Sequence, residues 1–411
     1  QACETIDMQK VIGVLLILLL FSCGKQRLWV KGKVQQKSFA REIPVQIKNG
    51  LIFVEVFVNG RPCNFLMDTG APTLIDAQLV EELGLKTKAF GTAVDSYDRR
   101  NRIDYTVLET ITIDSINFIR QGALISDLRS VPVFDCLDID GLLGANLMRN
   151  ACWQMDYKNE VIRIQEDCEG FIYSADWIVM PFRVNNQGTP KLSVTLGDSL
   201  RLSDVTLDFG SSSGLSLDLE AVEEMFDPAG ADLFTAGAAG VGLYGVELDS
   251  IWFMSPKGLF TSRQDLILPD VRARIRRKGG HLFGTQILRE FRSTIDWKNN
   301  ELVLEPVPMG EKRSPVWNNF GCALQPNGEI LEVAQLVYPS LAVESGLVLG
   351  DTVVAINSRP VDATDFCEAR ALFGATDPIE LTIQRQENHL TVNLRQQDLF
   401  DAPQNKSNKK P

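Results

Sequence analysis

Two aspartates in this chain sit where a carboxyl group could do acid–base work. Asp68 closes the apolar run Phe65-Leu66-Met67 and is followed by Thr69, Gly70 and Ala71. Asp208 closes Val205-Thr206-Leu207 and is followed by Phe209, Gly210 and Ser211. An aspartate after a strand is often only a turn residue. Two carboxyls brought within a few ångströms behave differently: they cannot both ionise easily, so they share one proton. One can then take a proton from water while the other donates to a carbonyl oxygen. Other chemistries are less well supplied. Only two histidines are present, His281 and His389, with no His-x-x-x-His or Cys-x-x-Cys spacing, so neither metal nor cofactor is expected. Gly210-Ser211-Ser212-Ser213-Gly214 matches a serine-hydrolase pattern, but that pattern needs a strand–elbow–helix setting and a histidine partner.

An internal repeat argues that the two aspartates are equivalent. At the offset that carries Asp68 onto Asp208, Leu142-Leu143-Gly144 falls on Leu282-Phe283-Gly284 and Arg149 on Arg289. Asp156-Tyr157-Lys158-Asn159 falls on Asp296-Trp297-Lys298-Asn299. Local patterns repeat as well. Val54, Val56 and Val58 alternate before an Asn59-Gly60 turn, and Leu192, Val194 and Leu196 alternate before Gly197-Asp198, both predicting β-hairpins that lead to an aspartate. Short helices are predicted over 76–83 and 218–225, each opened by an aspartate. Flaps are expected between each aspartate and its later glycine, at Gly91 to Tyr97 and at Gly237 to Gly242. Asp135, Asp138 and Asp140, and the basic run Arg272, Arg274, Arg276, Arg277 and Lys278, read as solvated charges.

An apolar strand ending in Asp-Thr-Gly, followed about 75 residues later by apolar-apolar-Gly, resembles aspartic peptidases, in detail the retropepsin-like lobes. The resemblance implies a mostly β fold: two tandem acid-protease-like β-barrel lobes related by pseudo-two-fold symmetry. It implies catalytic roles for Asp68 and Asp208, with Thr69, Gly70, Phe209, Gly210 and Ser211 as loop support. The apolar-apolar-Gly strand would cross behind each loop, and Thr69 would bond across to the other. Phe209 departs from the pattern because it lacks that hydroxyl; Ser211 is the candidate partner for the Asp208 carboxylate. The stretch 340–357 resembles a bacterial PDZ domain, an α+β module, with Phe320-Gly321-Cys322 where a peptide-carboxylate loop would lie. The implied activity is peptide hydrolysis by an activated water. A non-catalytic peptide-holding adaptor and a serine hydrolase are the alternatives.

The implied organisation is a signal peptide over 1–22 with the true start at Met8, a linker over 23–41, and lobes over 42–170 and 176–308. A linker over 309–316, a PDZ-like domain over 317–398 and a disordered tail over 399–411 complete it. Residues 23–308 are expected to fold without the PDZ-like part. The short apolar core Val11 to Phe21 behind Lys10, ending in Leu20-Phe21-Ser22-Cys23, fits an export signal. It resembles a bacterial lipobox, which implies a lipid anchor on Cys23 and residence in the bacterial envelope, periplasmic or outer-membrane associated. The remaining cysteines are expected mostly as buried thiols, with no bridge assigned. The net charge of -12 argues against nucleic acid as a partner. The expected partners are a peptide or protein substrate, a C-terminal peptide on the PDZ-like module and the membrane, the chain itself being a monomer.

Overall fold

The computed structural model describes residues 31–307 and 318–400, and the fold is mostly β. The signal segment, Cys23, the 309–316 linker and residues 401–411 lie outside the described residues.

In the first half, strands Leu51–Val58 and Arg61–Asp68 form a tight hairpin, with Val58 opposite Arg61. Asn59 and Gly60 both adopt positive φ, the geometry an Asn-Gly turn supplies. Val54, Val56 and Val58 point into the core while Glu55 and Phe57 face outward, so a period of two sets the register. Strand Leu74–Asp76 follows, and the Asp76 carboxylate caps helix Ala77–Glu82 by accepting from the Gln78 N–H at 2.9 Å. A long hairpin, Ala89–Val94 with Arg100–Ile113, then leads to Ile116–Ser126. Strand Gly141–Gly144 threads between earlier strands: it runs parallel to Arg61–Asp68, with Gly144 opposite Asp68, and antiparallel to Leu74–Asp76.

The second half repeats these pairings. Strand Leu282–Gly284 runs parallel to Leu200–Asp208, with Gly284 opposite Asp208, and antiparallel to Leu215–Asp218. Two more residues separate Asp208 from Asp218 than separate Asp68 from Asp76, and the loop absorbs them: Ser216 pairs Leu282 just as Leu74 pairs Leu142. The helix expected at 218–225 is reduced to a 3-10 turn, Leu219–Val222. The repeated Asp-x-x-Asn is also explained locally. Asp156 accepts from the Asn159 N–H and amide, and Asp296 does the same with Asn299, closing two matching turns.

Strands Cys152–Asp156 and Phe291–Asp296 pair antiparallel across the two halves. Gln154 faces Thr294, Trp153 faces Ile295 and Met155 faces Ser293, so each pair maps onto its mirror at the repeat offset. The Gln154 amide donates to the buried Thr294 hydroxyl at 2.9 Å. One apolar core runs through both halves.

The C-terminal part has its own core around Phe320, Leu331, Val353, Ile356, Leu381 and Ile383. Ser340 caps Leu341–Glu344, and helix Phe366–Ala375 packs over strand Cys322–Asn327. Several expectations need correction here. The C-terminal part is not set apart: strand Ile330–Tyr338 pairs with Phe234–Gly242 of the second half, Phe234 stacking on Tyr338. A disulfide joins Cys136, in helix Pro132–Leu137, to Cys367, and Val133 packs against the C-terminal core. A second bridge, Cys152–Cys168, closes the strand pair Cys152–Asp156 and Val161–Gln165, leaving Cys63 and Cys322 as the buried thiols. The 23–41 linker is structured in its later part, where Lys33–Val34 adds to Ile116–Ser126 and Phe39 is buried. Residues 399 and 400 are ordered rather than part of a disordered tail, because Leu399 is buried and Phe400 edges Phe253.

The bridge makes a direct test of how the C-terminal part is held. Replacing Cys136 and Cys367 by serine should cost about 2–4 kcal/mol, because the bridge closes a long loop. Calorimetry should show melting moving to lower temperature; an unchanged melt would mean that strand pairing alone holds the C-terminal part.

Candidate active site

The two aspartate loops meet over their glycines. A Cβ on Gly70 would stand 2.9 Å from Asp208 Cγ, and one on Gly210 would stand 2.5 Å from Asp68 Cγ. Each glycine therefore admits the carboxyl of the opposite loop, a close approach that any side chain would block. Each carboxyl lies against the opposite loop, where the charge of Asp208 bears on Asp68.

Asp68 Oδ1 accepts from the Gly70 and Ala71 N–H groups, each at 2.9 Å. Asp208 Oδ1 accepts from the Gly210 N–H alone. Thr69 is fully buried; its hydroxyl donates to the Leu207 carbonyl at 2.6 Å and accepts from the Phe209 N–H at 3.1 Å. The sequence equivalent, Phe209, sends no such bond back and is packed in the core with no exposure. Ser211 does not reach Asp208. Its hydroxyl bonds Ser213 at 2.7 Å, and Ser213 in turn bonds Ser216.

Both substitutions in these loops have predictable costs. Thr69→Val should strand a buried carbonyl and a buried N–H, costing about 1–3 kcal/mol each if no water enters. Phe209→Thr would restore a hydroxyl worth about 0.5–1.5 kcal/mol, yet removing a buried phenyl costs about 3–5 kcal/mol. Packing wins, so Phe209→Thr should lower the denaturant midpoint. A midpoint at or above wild type would show that the loop relaxes around threonine.

The electrostatics of the pair are uneven. Burial, and then the charge of Asp208, push Asp68 up to about 8. Burial also raises Asp208, but the Gly210 N–H and the charges of Arg276 and Lys191 oppose it. Arg276 is 5% exposed, donates to the Gly279 and Gly280 carbonyls, and lies 5.5 Å from the Tyr97 ring. Lys191 donates to the Thr206 hydroxyl at 2.6 Å. These influences favour a proton on Asp68 over one on Asp208, although titration of coupled carboxyls is a property of the pair.

Neither Arg276 nor Lys191 is marked as a site residue by the sequence. The basic run reads as solvated, but strand Ala273–Arg276 is packed on both faces, burying Arg276 and half-burying Arg274. The spacing of Arg272, Arg274 and Arg276 by two is the signal that places them on one strand face. Lys191 carried no such mark.

Two hairpin tips cover this region. Arg99, at the tip of the long first-half hairpin, donates to the Gly245 and Val246 carbonyls of hairpin Phe234–Gly242 with Gly245–Leu248. Tyr97 lies between Arg99 and Arg276 rather than exposed in a loop, against Gly240, where a Cβ would meet its hydroxyl at 1.9 Å.

Other candidates fall elsewhere. Asp135, Asp138 and Asp140 surround Arg129, and no group of metal-binding residues occurs among the described residues. His281 Nδ1 accepts from the Asp218 N–H, so that ring nitrogen is engaged away from the serine pattern. In the C-terminal part, Phe320 and Cys322 are buried, Phe320 edging Phe373, and burial pushes the Cys322 thiol up to about 12. Gly321 takes φ +82 over Ser340, and its N–H donates to the Asn319 side chain at 2.6 Å. No described helix is long and apolar enough to cross a membrane.

Residues 54–147 match the family described as Aspartyl protease, which places an aspartic-protease-like fold over the first aspartate loop and its glycine strand. Among solved structures, a retropepsin-like aspartic protease from Rickettsia conorii is similar at 20% identity, over 31% of this chain and 93% of that one, with a TM-score of 0.23. No curated protein gives a match to this chain.

Proposed function

We propose that this chain is a single-chain aspartic endopeptidase with Asp68 and Asp208 as its catalytic pair. The observation that carries the reading is reciprocal: each loop glycine makes room for the other loop's carboxyl. The two halves are taken as tandem lobes about a pseudo-two-fold axis, supported by the mirrored pairings around Gln154 and Thr294. One chain then supplies both halves of one site, so a monomer suffices.

In the resting pair, Asp208 holds the negative charge beside Arg276 and Lys191, and Asp68 holds the proton. A water between them loses a proton to Asp208 as its oxygen attacks the scissile carbonyl, and Asp68 donates to the carbonyl oxygen. The tetrahedral diol then collapses as a proton passes to the leaving nitrogen. No covalent enzyme intermediate forms. The hairpin tips at Tyr97 and at Tyr244, whose hydroxyl donates to the Ala93 carbonyl of the first-half hairpin, exclude water once a peptide lies beneath them.

The C-terminal part is read as a PDZ-like module, with strand Cys322–Asn327 and helix Phe366–Ala375 flanking a peptide groove that ends at Phe320-Gly321-Cys322. Cys23 is read as a lipid anchor on the bacterial envelope. Membrane release on Cys23→Ala would support the anchor; a soluble wild type carrying no lipid by mass spectrometry would remove it.

The test of function is a peptide-library cleavage assay. Cleavage blocked by a statine-type inhibitor supports the reading. Labelling of Ser212 by a fluorophosphonate, or binding without cleavage, would replace it with the serine hydrolase or the peptide-holding adaptor.

A further inference from the structure

Beside the loop that follows Asp208 lies a cavity of about 210 Å³. Ser212, Gln286, Arg272 and Arg274 line it from the second half, and Gln335 and Phe400 from the C-terminal part. That volume is below the usual range for a drug-sized ligand and suits one side chain or one small group. Its polar groups are unevenly satisfied. Arg272 is paired with Asp398 at 3.2 Å and lies 4.0 Å from the Phe400 ring. Arg274 donates to the Ala239 carbonyl at 3.1 Å, and no ion pair is formed by it among the described residues. Thr235, which also lines the cavity, is 1% exposed, and its hydroxyl has no hydrogen-bond partner. A half-buried guanidinium that forms no ion pair and lines one small space calls for an acceptor that carries negative charge. The chain's net charge of -12 makes this local excess of arginine stand out further.

We propose that this cavity, beside the Asp208 loop, is an outer substrate subsite that takes a carboxylate of the bound peptide, so that the preferred substrates carry an acidic group outside the scissile pair. Arg274 receives the carboxylate, and Gln335 and Phe400 give the C-terminal part a wall of the substrate site. The course of the peptide past the cavity rests on the peptidase reading; recognition of the carboxylate does not require cleavage.

The test uses the full chain carrying Asp68→Asn and fluorescent decapeptides in which a single Glu, or its isostere Gln, is walked along a neutral sequence. Each peptide is made with a free and an amidated C-terminus. At one position the Glu peptide should bind about tenfold more tightly than the Gln peptide, as a charge-assisted bond to arginine supplies. The ratio should shrink with added salt, and Arg274→Gln should bring it close to one. Preference kept in amidated peptides assigns the pocket to a side chain; preference seen only in free acids assigns it to the terminal carboxylate. No preference in either series, at any salt, overturns the subsite even if Arg274→Gln fails to fold. Wild-type cleavage of the same peptides separates the two ideas. Cleavage without acid preference removes only the subsite, and acid-selective binding without cleavage removes only the peptidase reading.

Discussion

Asp68→Asn and Asp208→Asn should each abolish peptide cleavage, lowering kcat/KM by at least about 10³-fold, the scale of a lost general acid or base. The reason is the shared proton. An amide occupies the space of a carboxyl but cannot exchange a proton with its neighbour. With Asn at 208 no carboxylate remains beside Arg276 and Lys191 to take a proton from water. With Asn at 68 the hydrogen bonds from the Gly70 and Ala71 N–H groups can still be accepted by the amide oxygen, so the loop should keep its shape. Both variants should therefore fold, with thermal transitions as sharp as wild type. Either variant cleaving at more than about a tenth of the wild-type rate would exclude a two-carboxyl mechanism, since a single group cannot serve as base and acid in one step.

Much of the site was legible because its constraints are local. An apolar run into Asp68, a small residue for close approach at Gly70 and a strand Gly141–Gly144 behind them are short-range patterns, and the repeat doubled each of them. Phe209 was visible as a departure, and its burial follows from its size. What escaped notice depends on contacts distant in sequence. The Lys191 charge bears on Asp208 only because two strands pair, and Arg276 turns inward only because its strand is covered by the tip of the other half's hairpin. The basic run looked solvated because charges usually are, and only its alternation hinted otherwise. The joining of strand Ile330–Tyr338 to Phe234–Gly242 carries no sequence signal, since an edge strand accepts any backbone of fitting register. The Cys136–Cys367 bridge was equally hidden, because bridge pairing cannot be deduced from irregular spacing.

That docked C-terminal strand bears on the expectation that residues 23–308 fold alone. Removal would uncover the edge of a strand that also forms a covering hairpin, together with the apolar surfaces of Phe234 and Phe253. An exposed edge of this kind favours association between chains. Residues 31–307 and the C-terminal part are therefore better regarded as one folding assembly with two cores.

Raising the pH through 8 should switch the enzyme off and also weaken it, and Asp68→Asn should separate the two effects. Asp68 is pushed from 3.8 to about 8 by burial and by the Asp208 charge. Catalysis needs the pair to hold one proton, so kcat/KM should fall about tenfold per pH unit above that value, with an alkaline limb near neutrality rather than in acid. Stability follows from linkage. Between 3.8 and about 8 the unfolded chain has lost this proton while the folded chain keeps it. The folded state then binds more protons than the unfolded state, so stability declines as pH rises through this window and levels off above it. The stabilising contribution is complete below 3.8 and lost above about 8. Asn at position 68 carries no proton in either state, so the variant should lack this decline and melt several degrees above wild type at pH 9, with little difference at pH 4. Melting curves of the two proteins across this range decide the matter. Parallel curves, with no gap opening toward alkaline pH, would mean that Asp68 ionises normally and that no proton is shared with Asp208.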